Sequence, residues 1–277
     1  MSGTLYLVPT PIGNLGDISQ RMADTLEQVD FIAAEDTRVT VKLLNHLGIK
    51  KPMTAYHRHN LDTAGPAVLN RLLAGESCAL VTDAGTPAIS DPGEDLVALC
   101  AGAGVQVCAI PGPCALSTAL SVAGLPTARF TFEGFLPQNK KNRRARLEAL
   151  REEERTMVFY EAPHKLSATL EELAQVLGAD RRAVLCRELT KLHEEILRTT
   201  LGELAAEYRQ REPRGEFVLV VEGAPPQEEE QADLDGALAR VEALRAQGLS
   251  LKQASAQAAA EFGCRRRELY DLTVGKR

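Results

Sequence analysis

An apolar pentapeptide, Cys78-Ala-Leu-Val-Thr82, runs directly into Asp83-Ala-Gly-Thr-Pro-Ala-Ile-Ser-Asp-Pro-Gly93, and a helix-like stretch, Glu94 to Ala101, follows. Strand, loop and helix in that order form the unit of a parallel α/β sheet. The loop then falls at the carboxyl end of the strand, the edge where open α/β sheets bind ligands. Its eleven residues include two Gly, two Pro, two Asp, one Thr and one Ser. Gly lets backbone approach a ligand, Pro stiffens the path, and the carboxylates and hydroxyls offer polar contacts. An ordinary βα connection takes about 2–6 residues, so this loop is longer than a connector needs to be.

The first half of the chain repeats the same unit. Strands are expected at Thr4–Val8, Asp30–Ala34, Met53–His57, Cys78–Thr82 and Val105–Ala109, with helices at Ser19–Gln28, Arg38–Leu47 and Thr63–Leu73 between them. This rhythm predicts a parallel sheet covered on both faces. Three strands end in Pro/Gly-rich turns, Pro9–Asn14, 83–93 and Ile110–Cys114, which emerge on one edge. None is a GxGxxG or Walker loop, so dinucleotide or nucleoside triphosphate binding has little support. After Leu125-Pro126 the texture changes. Strands are expected at Phe130–Phe135, Thr156–Glu161, Ala183–Glu188, Ile196–Thr200 and Glu216–Glu222, with helices at Arg143–Glu153, His164–Leu177 and Leu201–Arg211. The fold class is α/β: an N-terminal parallel-sheet domain over 1–125 and a C-terminal mixed-sheet domain over 126–223. A polar linker, 224–232, then leads to a helical tail, 233–277, with helix-turn-helix-like spacing around Ser250 and Cys264.

Composition narrows the function classes. Net charge is −6, so no global basic field advertises nucleic acid. The distribution is uneven. Residues 137–155 hold seven Lys/Arg against four Asp/Glu, and residues 247–277 hold six against three, two patches that suit phosphate contact or are solvated helix faces. The six Cys lack CxxC spacing and read as reduced, buried residues of a cytoplasmic protein without structural zinc. The start has no basic n-region or long apolar core, which argues against a signal peptide. Residues 96–128 carry no charge, but Gly102, Gly104, Pro111, Gly112 and Pro113 divide them into helix end, strand, turn and helix. A buried core segment is therefore expected, not a membrane span.

Several long motifs occur in order: Tyr6–Asp17, Ala34-Glu-Asp-Thr-Arg38, Tyr56-His-Arg-His-Asn60, Thr82–Gly93, Ile110-Pro-Gly-Pro113 and Phe159-Tyr-Glu-Ala-Pro-His-Lys165. Together they resemble the tetrapyrrole-methylase superfamily, and within it the branch that modifies small-subunit ribosomal RNA. The resemblance covers roughly residues 4–223, and the helical tail fits it. It implies an S-adenosylmethionine (SAM) enzyme, a homodimer of two-domain subunits, with SAM in the interdomain cleft. It implies 2′-O-methylation of a cytidine in the decoding region of 16S ribosomal RNA. It also implies cofactor contacts from Asp83, Gly85, Thr86, Ile89 and Ser90, from Pro113, Cys114 and Ala115, and from Phe159, Tyr160 and Glu161, with Leu189 and Thr190 over the adenine. Arg58 departs from the family pattern, which carries an acidic residue between the two His.

Removing the proton of an acceptor hydroxyl calls for a positioned base. Glu35, Asp36 and His57 are candidates, with His59 and Asp17 behind them. Glu35 and Asp36 follow a strand at the same edge, and pairing with Arg38 at a helix start is their alternative role. His57 and His59 alternate on a strand end and would face one side; no third metal ligand accompanies them. His164 and His193 read as structural. For the carboxylates of the 83–93 loop helix capping is the alternative role: Asp91, before Pro92-Gly93-Glu94, is placed to cap a helix, and Asp83 is either a ligand contact or a cap or turn residue. For RNA, the expected contacts are Arg38 and Asn60, then Lys140, Lys141, Arg143 and Arg144, and Arg265, Arg266 and Arg267 in the tail. Two other readings stand beside the RNA enzyme: a tetrapyrrole C-methyltransferase, and a non-catalytic ribosome-assembly factor. The basic run at 138–146 and the separate helical module favour RNA.

Overall fold

The computed structural model describes residues 2–225 and 233–275, which fall into two compact units, 1–224 and 225–277. The first unit opens with five parallel strands: β1 (Thr4–Leu7), β2 (Phe31–Ala34), β3 (Met53–Ala55), β4 (Cys78–Val81) and β5 (Gln106–Ala109), in the spatial order β3-β2-β4-β1-β5. Helices α1 (Gln20–Gln28), α2 (Thr37–Leu47), α3 (Leu61–Leu73), α4 (Glu94–Gly102) and α5 (Ala115–Ala123) alternate with them. All four residues of β2 and of β4 are buried, because side chains pointing either way meet a core. One face packs Leu5, Phe31 and Leu80 against Leu72 and Leu96; the other packs Ile32 and Val81 against Met22, Leu26 and Leu44. Helix starts are set by side chains: the Ser19 hydroxyl accepts the Met22 N–H, and the Asp36 carboxylate accepts the Arg38 N–H. The uncharged run 96–128 divides as expected into the end of α4, then β5, a turn and α5, but it is not buried throughout: β5 is the edge strand, with Gln106 and Ala109 exposed. Among the described residues no helix is long and apolar enough to cross a membrane.

The second sheet has β6 (Phe130–Phe135), β7 (Thr156–Glu161), β8 (Arg182–Arg187), β9 (Glu195–Thr200) and β10 (Phe217–Val221), in the order β6-β7-β10-β8-β9. β6 runs parallel to β7 and the other pairs are antiparallel, so the sheet is mixed. Its outer face is covered by α6 (Lys140–Ala149), α7 (Pro163–Leu177) and α8 (Leu201–Tyr208), through Leu147, Leu166, Leu170 and Leu204. Its inner face is covered by α5, the last helix of the first half, and by Ile12. Ala119, Leu120 and Ala123 pack there on Val158, Val184, Val218 and Val220. Helix α5 thus fixes the second sheet against the carboxyl edge of the first.

Three expectations shift. β3 stops at Ala55, and His57 lies on a turn beyond it. The Asn60 side chain causes this: its amide donates to the Ala55 carbonyl at 2.9 Å, and its carbonyl accepts the His57 N–H at 2.8 Å. Helix α6 begins at Lys140, ahead of Arg143, because the Asn139 carbonyl accepts the Lys141 and Asn142 N–H groups. The six cysteines are free, but Cys108, Cys114 and Cys264 are partly exposed rather than buried. Most of the linker, 226–232, lies outside the described residues.

The second unit holds α9 (Leu234–Ala246), α10 (Leu251–Phe262) and α11 (Arg266–Gly275). Its small core is Ala237, Val241, Leu244, Ala254, Ala258 and Leu269. A reciprocal cap between Ser250 and Gln253 starts α10, and Gly263 at φ 67° ends it. A short turn, 263–265, leads from α10 into α11.

Candidate active site

A cleft of about 440 Å³ opens between the carboxyl edge of the first sheet and the second sheet, within the range of about 300–1,000 Å³ usual for small-molecule sites. The loops after β2, β4 and β5 supply one wall through Glu35, residues 83–86 and 89–91, Cys114 and Ala115. Tyr160, Glu161, Cys186, Leu189 and Val218 supply the other. Direct bonds tie the loops together. Thr10 and Gly85 exchange two backbone hydrogen bonds at 2.9 and 3.0 Å. The Thr10 hydroxyl donates to the Thr82 carbonyl at 3.0 Å, and the Thr86 hydroxyl to the Pro113 carbonyl at 2.9 Å. The Leu116 N–H donates to the Tyr160 hydroxyl at 3.0 Å and links α5 to the far wall.

The backbone around this cleft is strained. Among the described residues, the non-glycine residues at positive φ are Ala88 (65°), Ser90 (67°), Glu188 (51°) and Thr190 (69°). All sit in two loops, 83–93 and 188–194, that border the cleft. Such conformations cost of order 1–3 kcal/mol each and cluster at ligand sites. The two walls also meet. A Cβ added to Gly13, itself at φ 142°, would lie 2.4 Å from the Lys191 side chain, which Glu188 and Glu216 hold at 2.8 Å each. Only glycine allows that approach.

Three carboxylates line the first wall. Burial raises Asp91 to about 6, with Glu35 and Asp83 adding to the rise and Arg58 opposing it. Burial also raises Glu35; the Asp83 N–H opposes that rise, and the Asp83 charge adds to it. Asp83 is raised by burial, against the hydrogen bond it accepts from the Asp36 N–H at 3.1 Å. Arg58 donates to the Ser90 carbonyl at 2.7 Å, so the residue that departs from the family pattern latches the strained loop.

The cleft brings together Asp83, Gly85, Thr86, Ile89, Ser90, Cys114, Ala115, Tyr160, Glu161 and Leu189 from the expected cofactor set, with Glu35 from the base candidates. Others fall elsewhere. Phe159 is fully buried in the core on the outer face of the second sheet, because it alternates with Tyr160 along β7. Pro113 contributes its carbonyl to Thr86 and does not form the wall. Thr190 stands beside the wall, and among the described residues its buried hydroxyl has no partner. Asp36 caps α2 and pairs with Arg38 at 2.6 Å, a hydrogen-bonded pairing that holds its carboxyl down to about 2. That leaves it a weak base. His57, His59 and Asp17 lie off the wall. His164 and His193, expected as structural, are exposed and fill no core position.

The RNA set divides as well. Lys140, Lys141 and Arg144 are exposed on α6, and Arg265, Arg266 and Arg267 on the helical unit. Arg143 is buried, hydrogen-bonded to Thr169 and Glu172 and ion-paired with Glu161 at 3.9 Å, so it is no surface contact. Asn60 is spent on its turn. Arg38 is exposed but ion-paired. Sequence reasoning missed Asp91, Phe135, Cys186, Glu216, Phe217 and Val218. The first was assigned to capping, yet α4 is preceded by Gly93 with no side-chain cap. Most of the others sit on strands of the second sheet, and only the pairing of Phe217 with Glu161 and Arg187 brings β10 to the cleft. Among the described residues no group of three or more His, Cys, Asp or Glu is placed to hold a metal ion.

Residues 4–205 match the family described as Tetrapyrrole (Corrin/Porphyrin) Methylases, and residues 231–275 match the family described as RsmI C-terminal HTH domain. The chain is 50% identical to Ribosomal RNA small subunit methyltransferase I of Escherichia coli O157:H7, covering 98% of this chain and 95% of that one. It is 48% identical to the protein of the same name from Synechocystis, covering 98% of both. Among solved structures, diphthine synthase superposes with a TM-score of 0.60 at 16% identity, over 80% of this chain and 90% of that one. A uroporphyrin-III C-methyltransferase from Thermus thermophilus, complexed with S-adenyl homocysteine, superposes with a TM-score of 0.55 at 18% identity, over 79% of this chain and 97% of that one. These likenesses carry the fold.

Proposed function

The chain belongs to the ribosomal RNA small subunit methyltransferase I family of the tetrapyrrole methylases, and from that premise we propose how its cleft works. It is a SAM-dependent methyltransferase of small-subunit ribosomal RNA, acting on the 2′-oxygen of a cytidine in the decoding region. The observation that supports the chemistry is a strained cleft with three carboxylates on one wall and, on the other, Leu189 and Val218 beside Tyr160 and Glu161. The donor set fits SAM. Asp83 and Asp91 suit its ammonium and hydroxyl groups, Ile12, Leu189 and Val218 suit its adenine, and the unpartnered Thr190 hydroxyl lies beside them. When bound, SAM supplies a methyl group on a positively charged sulfur. The chain holds the two reactants in line and takes the proton from the acceptor hydroxyl. The test is tritiated methyl transfer from SAM to isolated small subunits, followed by nuclease mapping. Label in one ribose 2′-oxygen is expected. Label in a base, or none in RNA, overturns the reading.

Asp83→Ala is expected to weaken SAM binding by about 5–150-fold, the effect of removing one polar interaction worth roughly 1–3 kcal/mol. Calorimetry measures it, and the melting temperature is expected to hold. A collapsed melting temperature with unchanged affinity would assign Asp83 to turn structure alone.

The proposal extends to organisation. The chain divides into 1–125, 126–223, the linker 224–232 and the helical module 233–277. It acts as a homodimer in the cytoplasm, where sedimentation at micromolar concentration tests the dimer. The module carries Arg265–Arg267 exposed at the start of α11. Removing residues 228–277 is expected to weaken RNA binding and flatten its salt dependence, by about one unit of log–log slope for each phosphate the module neutralises. SAM affinity is expected to hold, since the cleft belongs to the first unit. A truncated protein that methylates subunits with unchanged apparent affinity would remove the module from RNA recognition.

A further inference from the structure

Strand β6 carries a bulge. Phe132 pairs with Val158 on β7, but Gly134, not Glu133, pairs with Phe159. Strict alternation would send Phe132 and Phe135 to opposite faces. The shifted register turns both rings to Tyr160, at centroid distances of 4.9 and 5.7 Å. Phe132 joins the core under α5. Phe135 is 55% exposed, lines the cleft, and contributes to no core. Bulges next to active sites re-aim side chains, and this one holds a large aromatic ring at the cleft mouth.

The ring is also well supported. Tyr160, which it meets edge-on, is fixed by the Leu116 N–H. Gly134, at φ 59°, abuts the strained loop so closely that a Cβ there would lie 3.0 Å from the Ser90 hydroxyl. That loop presents Ile89, 40% exposed, to the same cleft. Lys140 and Lys141 follow on the first turn of α6, exposed and free to meet phosphate. A flat π face, an apolar side chain and cations a few residues away match the chemistry of an unstacked nucleobase with its backbone beside it.

We propose that Phe135 is the stacking surface for the base of the acceptor nucleotide, turned out of its RNA stack to reach the cleft. This rests on the proposed RNA methyl transfer.

The test compares Phe135→Ala, Phe135→Leu and Phe135→Tyr with the unsubstituted protein. Methyl transfer to isolated small subunits is read at varied subunit concentration, SAM affinity by calorimetry, and folding by thermal melting. Phe135→Ala is expected to lower kcat/KM for subunits by about 5–150-fold, the effect of losing one base–aromatic stack. SAM affinity and melting temperature are expected to hold. Phe135→Leu keeps apolar bulk without the π face and is expected to stay impaired, and Phe135→Tyr to restore activity. A Phe135→Leu protein as active as the unsubstituted one overturns stacking. So does a fall in SAM affinity parallel to the fall in kcat/KM, which would place the ring on the donor. Failure of the unsubstituted protein to methylate subunits at all would instead overturn the proposed function.

Discussion

Glu35→Gln is expected to slow single-turnover methyl transfer by about 10²–10⁴-fold, the usual scale for loss of a general base, while SAM affinity stays within a few-fold. Of the three base candidates drawn from sequence, Glu35 alone lines the cleft. Its competitors stand elsewhere: Asp36 caps α2 and pairs with Arg38, and His57 lies on the turn after β3, off the cleft wall. Asp36→Asn and His57→Ala are therefore expected to leave the chemical step within a few-fold. The pH profile carries the same argument. Burial raises Glu35 and lifts Asp91 to about 6, and a base works only when ionised. The rate is expected to rise with pH through a midpoint above the usual carboxylate range and then level. Glu35 is one of the charges that raises Asp91, so removing it should lower the pKa of Asp91 and move any residual acid limb to lower pH. Asp91→Asn is the control within the wall. If it abolishes transfer at unchanged SAM affinity and Glu35→Gln does not, the base is Asp91. If neither slows transfer, positioning alone carries the chemistry.

How much of this was legible in the sequence follows from how local each signal is. Strands with both faces buried announce themselves as apolar runs, and Phe31–Ala34 and Cys78–Val81 lie where those runs predict. The 83–93 loop is long and polar, and it does line the cleft. Capping is also local, but it competes: Asp36 and Asp91 both precede helices, and only Asp36 became a cap. No pattern in the chain separates the two, because the choice depends on what buries Asp91. The second wall was less legible. Glu216, Phe217 and Val218 reach the cleft through antiparallel pairing with strands some 30 and 56 residues away in sequence. A bulge shifts one residue of register, and its one mark in the sequence, Gly134 within the strand, does not say which face Phe135 then takes. Arg143 failed for another reason. It sits in a basic run, and only the helix phase of α6 separates the buried position from its exposed neighbours.

That phase gives the largest expected stability effect. Arg143→Ala is expected to destabilise the first unit by about 3–5 kcal/mol, the scale for removing one partner from a buried ion pair. Arg143 and Glu161 are 8% and 5% exposed. The guanidinium lies 3.9 Å from the Glu161 carboxylate, donates to the Thr169 hydroxyl at 2.6 Å and is bonded to Glu172. The Ala162 N–H donates to the other Glu161 oxygen at 2.8 Å. Without Arg143, Glu161 keeps its hydrogen bonds but stands as a buried charge with no counter-charge, in the cleft wall itself. The neighbouring Arg144 makes the comparison sharp. Its side chain is 82% exposed and 3.9 Å from Glu148, so Arg144→Ala should change stability by no more than about 0.5 kcal/mol while weakening RNA binding at low salt. Thermal melting of the two variants separates the roles. Combining Arg143→Met with Glu161→Gln removes both charges at once, and most of the lost stability is expected to return, as it does when a buried pair is replaced whole. If the double variant melts as low as Arg143→Ala, the loss comes from packing around α6 and not from the stranded carboxylate. If Arg143→Ala costs less than about 1 kcal/mol, the network does not hold the wall. On the expected outcome, the basic run at 137–155 is not one patch but two devices on one helix: an inner arginine that holds the cleft wall, and outer cations free to meet the phosphates of the substrate.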